Sequence, residues 1–240
     1  MAETGQSTAT LRLAVGDLRI AHPITVPDAA VPATAVLPAL QGLVNAVVDA
    51  AEAGREISCR KGCGACCRQL VPISRTEGEA LLALVEAMTK ERREAVRARF
   101  TQAEAAIVKA GLAERGARSD RESARSDRAL SVAYFALGVP CPFLEDESCS
   151  IHADRPLVCR EYLVTSPAAL CAGPAQDGVT PVPVPKLSLA AQRLQDERDS
   201  WFALAMLMAW SRKARPPVKR LPGTEWVQRF LRGLSSAPAR

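Results

Sequence analysis

Cys59-Arg60-Lys61-Gly62-Cys63-Gly64-Ala65-Cys66-Cys67 places four thiols inside nine residues, in a C-x3-C-x2-C-C spacing. Thiols this local are not ordinary core packing. Gly62 and Gly64 allow a tight backbone that can bring N–H groups up to sulfur. The stretch reads as a loop that holds a metal centre, with helices around it as support. On a helix-like turn, Cys59, Cys63 and Cys66 fall on one side. A divalent ion or a cubane cluster takes about four thiolates. The adjacent pair Cys66 and Cys67 can meet one ion only with backbone strain. The loop therefore supplies three ligands and draws the rest from elsewhere, or it bends sharply to use Cys67 as well.

The chain around this loop has 240 residues, of which 48% are apolar and only 4% aromatic, so its core is built from Leu, Val and Ala. With few β-branched runs, this composition predicts a mainly α fold: a helical domain around an irregular cysteine-rich metal-binding core, with little β. The N-terminus shows neither the basic segment nor the apolar run of a secretory signal. No apolar stretch reaches the roughly 18 residues of a membrane span, so no membrane role is expected. Eight cysteines in such a chain point to reduced thiols and metal ligation rather than disulfides, and to a cytoplasmic protein.

Three parts are expected. Residues 1–36 form an N-terminal arm, in which Leu11, Leu13 and Val15, then Leu18 and Ile20, alternate about a hairpin turn at Gly16-Asp17. A proline-rich run follows it, extended or partly disordered. Residues 37–213 form the cysteine-cluster helical domain. Its first helix starts at Pro38 and carries Leu40, Leu43, Val44, Val47 and Val48 on one face, with Gly54 as its stop. Ser74 and Glu77 have capping-box spacing for a second helix. Thr89 caps a third, and Gly138 ends a short helix over Leu130–Leu137. A long helix is expected from Ser188 to about Arg212. Residues 214–240 form a basic tail with a short helix over Glu225–Leu234.

The net charge of +5 is unevenly spread. Between Arg212 and Arg240 there are eight basic residues and one acid, Glu225, so the remainder is slightly acidic. Cations interleaved with Trp210, Trp226 and Phe230 suit nucleic acid or an acidic partner. The competing reading is a solubilising tail packed by its own aromatics. Arg118-Ser119-Asp120-Arg121 recurs as Arg125-Ser126-Asp127-Arg128. Its acids cancel its cations, so it reads as a solvated, self-paired stretch.

A second cysteine segment runs Cys141-Pro142-Phe143-Leu144, then Cys149-Ser150-Ile151-His152, then Arg155-Pro156-Leu157-Val158-Cys159-Arg160-Glu161-Tyr162. With the 59–67 run, over roughly residues 55–165, it resembles the CxxCxxCC family, the YkgJ-type cysteine-cluster proteins. The resemblance implies a zinc- or iron-chelating domain, with no settled activity. The metal set is then Cys59, Cys63, Cys66, Cys67, Cys141, Cys149 and Cys159, clipping together two segments about 75 residues apart. Charge leaves zinc and a 4Fe–4S iron–sulfur cluster equally open, since either with four thiolates sums to the same value. His152 stands where such proteins usually carry Tyr, and it reads as a packing imidazole or a ligand. Cys171 lies beyond the motif and its role is open.

Two functions compete. One is a metal-binding protein in a structural, sensing or trafficking role, consistent with the lack of any Walker loop, dinucleotide fingerprint, H-E-x-x-H or G-x-S-x-G. The alternative is a cluster-dependent enzyme, because flagellin lysine methylases carry a related cysteine cluster. Glu161 and Tyr162 would then be the nearest polar groups. Whether the chain is an enzyme stays undecided at this level.

Overall fold

The structure, a computed structural model, describes residues 5–113, 128–173, 177–195 and 201–235. Alternating residues from Gln6 to Pro27 build an antiparallel hairpin of β1 (Gln6–Val15) and β2 (Leu18–Pro27). It turns at Gly16, whose φ of +58° an L side chain resists. One face of β2 buries Ile20, Ile24 and Val26 in a core shared with α1 (Leu37–Glu52). That helix starts on Pro38, where a missing N–H costs nothing. It buries Leu40, Leu43, Val44, Val47 and Val48 and stops before Gly54, at φ +73°.

The mainly α expectation is overturned. Helical segments account for 48% and strands for 17%, with several small sheets. Besides the hairpin, β3 (Ala30–Pro32) pairs with β8 (Arg220–Pro222), and β4 (Pro72–Ile73) with β7 (Phe202–Ala203). β5 (Leu144–Glu145) pairs with β6 (Ser148–Cys149). Most of these strands are two or three residues long. Pairing that short depends on partners distant in sequence and leaves no period-2 signal.

The helix expected from Ser188 to Arg212 is also replaced. A short helix α6 (Ser188–Ala191) is followed, beyond residues 196–200 that lie outside the description, by β7 and then by α7 (Leu207–Ser211). Trp201 to Leu207 are all buried, so this run has no polar face. Phe202 stacks on Trp210, 4.4 Å between centroids, while its backbone pairs with Ile73.

Among the described residues, three apolar clusters hold the chain together. The first joins β2, α1, α6 and α8 (Gly223–Ser235). Trp226 and Phe230 of α8 are fully buried in it, and the Trp226 indole N–H donates to the Val31 carbonyl at 2.8 Å. Trp226 and Phe230, two of the three aromatics that the basic tail offered as partner contacts, are therefore core residues, while Trp210 is partly buried. Residues 212–220 are exposed, with Arg215 stacked over Trp210 at 4.2 Å.

The second cluster lies between α2 (Arg75–Glu86) and α3 (Lys90–Lys109) and includes Phe143, which meets Phe100 edge-on at 5.4 Å. The third joins the far end of α3 to α4 (Arg128–Ala136). Both predicted caps form: Ser74 and Glu77 make a full capping box, and the Thr89 side chain accepts from the Arg92 N–H. The Arg-Ser-Asp-Arg repeat lies outside the described residues, save for Arg128 at the start of α4.

Candidate metal centre

The cysteine loop leaves α1 and is pinned at its root, where Ser58 N–H donates to the Val164 carbonyl at 2.9 Å and Ser58 Oγ to the Thr165 carbonyl at 3.1 Å. Gly62 sits at φ +88°, which a side chain would strain. Its N–H does not point at sulfur, as the sequence suggested, but donates to Ser148 Oγ at 3.1 Å. Residues Ala65–Arg68 form a 3-10 turn that carries Cys66 and Cys67.

Onto this turn docks the tip of the β5–β6 hairpin. Asp146 and Glu147 adopt positive φ there, and the Glu147 carboxylate takes a two-pronged pair from Arg68 at 2.8 and 2.6 Å. A Cβ on Gly64 would lie 2.9 Å from Leu144 Cδ1 and closer still to Glu147. A side chain at 64 would thus press on the tips of Leu144 and Glu147, which would have to shift for the second cysteine segment to keep its place. Cys141 N–H donates to the Cys67 carbonyl at 2.7 Å and closes the junction.

Cys159 stands on α5 (Leu157–Arg160). The N–H that opens this helix donates to Glu77 Oε1 at 2.8 Å, while Glu77 Oε2 accepts from Ser74 N–H and Oγ at 2.8 and 2.7 Å. One buried carboxylate therefore caps α2 and anchors the helix that carries Cys159. Arg160 is held by Asn45 and by the Arg155 and Ala153 carbonyls.

The consequence is a single cavity of about 1140 Å³ onto which all eight cysteines open: Cys59, Cys63, Cys66, Cys67, Cys141, Cys149, Cys159 and Cys171. All are free thiols. Cys171 comes from a 3-10 turn, Ala168–Ala172, that packs on the Cys66–Cys67 turn. The sequence carried no sign of this beyond the residue type. His152 also reaches the cavity wall but is exposed, and its pKa is lowered, first by the Arg155 charge. As the side chains stand, no three Cys, His, Asp or Glu among the described residues are close enough to hold one ion.

Burial pushes the Cys59, Cys149 and Cys171 thiols up, and Cys141 up to about 12. Cys159 is raised well above the ordinary range by burial and then by its thiol neighbours. Cys66 is raised first by its hydrogen bond with Cys67 and then by burial. Working the other way, backbone N–H groups of Val164, Phe143 and Ile151 bond to the sulfurs of Cys59, Cys141 and Cys149. Arg155 lowers Cys59, Cys66 and Cys149 by its charge. The six thiols so raised are held neutral, in surroundings that include donors and cations suited to thiolate once a metal replaces the protons.

Three more groups on this wall escaped the sequence reading or were only touched by it. Gln69 Nε2, Arg155 Nε and Tyr162 Oη are buried atoms with no partner in hydrogen-bond geometry. Their residue types are common on any surface, so nothing in the sequence marks them.

A thiol-rich pocket assembled from two cysteine segments is the hallmark of a metal-chelating domain. Residues 58–173 match the family model of the CxxCxxCC domain, described as "Putative zinc- or iron-chelating domain". The match extends to include Cys171. No curated protein and no solved structure matches the chain. Among the described residues no helix is long and apolar enough to cross a membrane.

Proposed function

We propose that this chain is a metal-holding module whose cavity carries a thiolate-ligated iron–sulfur centre, used in sensing or trafficking. The observation that carries this reading is the spread of eight thiols around one cavity of about 1140 Å³. A lone tetrahedral zinc, with Zn–S near 2.3 Å, draws its sulfurs to about 3.8 Å from one another. A polynuclear cluster spreads its cysteine ligands wider and takes them from all sides. Backbone N–H groups on three of the sulfurs are the means by which proteins tune such clusters. The candidate ligands are only partly buried, apart from Cys171, so a bound centre stays within reach of a solvent-borne partner or oxidant.

The test is metal and sulfide analysis with an absorption spectrum, on protein prepared without oxygen. The expected result is iron with inorganic sulfide and broad absorption around about 400 nm. Zinc alone, with a featureless visible spectrum, overturns the iron–sulfur reading.

A second reading, cluster-dependent enzyme, has one observation in its favour. Gln69, Arg155 and Tyr162 line the thiol-rich cavity beside the cysteines, polar groups of the kind a substrate-positioning wall uses. Tyr162→Phe and Gln69→Ala variants that keep the visible spectrum but lose binding of a substrate-class probe would favour this reading. Variants that alter only the spectrum would favour the module.

A further inference from the structure

The N-terminal hairpin lies outside the segment that matches the metal-chelating family, and none of its residues lines the cysteine cavity. β1 and β2 run antiparallel without a bulge from Val15–Leu18 to Gln6–Pro27. Among the described residues they form a sheet of two strands, so the far edge of each is unpaired. The two-residue turn at Gly16-Asp17 makes Val15 and Leu18 a hydrogen-bonded pair. Pairs alternate from there. Odd-numbered residues of β1 therefore bond to β2, while Gln6, Thr8, Thr10, Arg12 and Ala14 turn their N–H and C=O groups away from it. The close approach of the Thr8 and Thr25 hydroxyls, 2.9 Å apart, agrees with this phase, since side chains of non-hydrogen-bonded pairs lie nearer each other.

The two edges are not alike. Pro23 and Pro27 stand at outward positions of β2, opposite Thr10 and Gln6, and deny that edge two donors. β1 has none of the devices that close an edge: its sequence contains no proline and no lysine, and its pairing contains no bulge. Its outward residues Gln6, Thr8, Thr10, Arg12 and Ala14 are all exposed. On its other face Leu11 and Leu13 pack on the first apolar cluster but stay only partly buried.

We infer that β1 is a dimerisation edge, which pairs antiparallel with β1 of a second copy of this chain and joins two hairpins into one four-stranded sheet. A two-fold axis at Thr10 sets Thr10 against its own copy, Thr8 against Arg12 and Gln6 against Ala14. All of these are outward residues, so each pair exchanges two backbone hydrogen bonds. The edge asks for a strand of matching length and phase with no proline in it. Among the described residues, every other strand but β2 is two or three residues long, and β2 carries its prolines outward, so β1 is the strand of this chain that fits. Charge permits the pairing. Arg12 is the one charged residue of β1, and the axis keeps the two copies of it about 14 Å apart, beyond the screening length at physiological salt. Leu11 and Leu13 then lie opposite Ala9 and Ser7 of the second copy, which cover part of their exposed surface.

The experiment is sedimentation equilibrium of the full chain under reductant, so that thiol cross-links do not contribute. A single strand pair is small beside the roughly 800 Å² per partner of a standard interface, so the range runs from about 5 to about 500 µM. The mass of wild type is expected to rise with concentration from one chain toward two. Thr10→Lys sets two cations face to face on the axis and should weaken association by about tenfold or more. Thr10→Pro should do the same by removing both N–H groups on the axis, and it spares the hairpin, since Thr10 faces Pro23 and gives β2 no bond. Hydrogen exchange of the Thr8, Thr10 and Arg12 amides should slow in wild type as concentration rises. Circular dichroism checks folding, and Thr10→Lys decides where Thr10→Pro fails to fold. A wild type that stays monomeric over the whole range, with these amides exchanging fast throughout, overturns the inference. So does a dimer that the folded variants keep, because its interface then lies elsewhere.

Discussion

Glu77→Ala tests whether one buried carboxylate holds the second half of the cysteine site in place. Glu77 is only 3% exposed and accepts from Ser74 N–H, Ser74 Oγ and Leu157 N–H at 2.8, 2.7 and 2.8 Å. Burial raises its pKa, so some stabilisation returns when the charge is removed. Against that, alanine strands two buried backbone N–H groups, each costing about 1–3 kcal/mol, and breaks one arm of the capping box. The net expectation is a loss of about 3 kcal/mol in urea unfolding of the metal-free chain at neutral pH, with an unchanged slope on urea. Metal content should fall too, because α5 loses the anchor that sets Cys159. Glu77→Gln keeps one acceptor but turns an amide donor toward another donor, so it should fall between the two. If Glu77→Ala unfolds within about 0.5 kcal/mol of wild type and retains full metal, the anchoring argument is wrong.

Glu161 is fully buried, accepts from Ser188 N–H and Oγ, and burial pushes its carboxyl up to about 7 from an ordinary 4.5. A raised folded pKa means that its stabilisation is complete below pH 4.5 and is lost as pH rises through about 7. Glu161→Gln should remove that slope and leave the variant more stable by up to about 3 kcal/mol above pH 8; parallel pH profiles for the two proteins would refute this. Gly64→Ala should weaken docking of the β5–β6 hairpin and lower metal retention, since its new Cβ meets Glu147 and Leu144. Glu147→Ala in the same chain should recover part of the loss, and failure to do so would place the strain elsewhere. Metal loading should strengthen with rising pH and release protons, because burial holds Cys59, Cys141, Cys149 and Cys159 protonated in the metal-free chain. Proton release measured by calorimetry in two buffers checks it, and pH-independent loading would contradict it.

The elements most legible in the sequence are those whose signal is local. α1 follows from Pro38, five aliphatic residues at helical spacing, and Gly54. The caps at Ser74 and Thr89 need nothing beyond the next three residues. The N-terminal alternation gave a hairpin because a period of two and a positive-φ glycine suffice for one. The buried run 201–207 was misread as helix, since an apolar stretch without a polar face has no period by which to choose. The two- and three-residue strand pairs escaped for the same reason, and with them the balance between helix and sheet.

By itself the sequence determined the chemistry of the site. Seven thiols in two runs, with glycines inside the first and hardly a histidine to compete, can serve little but a thiophilic metal. Where those thiols stand was decided only by tertiary structure. Cys171 joins the others through packing of two 3-10 turns, and Gly64 matters because a hairpin 80 residues later presses on it. Glu77 is a helix cap in the sequence and a clamp on Cys159 in the fold. The physical reason is range: propensity, capping and spacing act over a few residues, whereas the cavity is made by segments brought together by burying three apolar clusters.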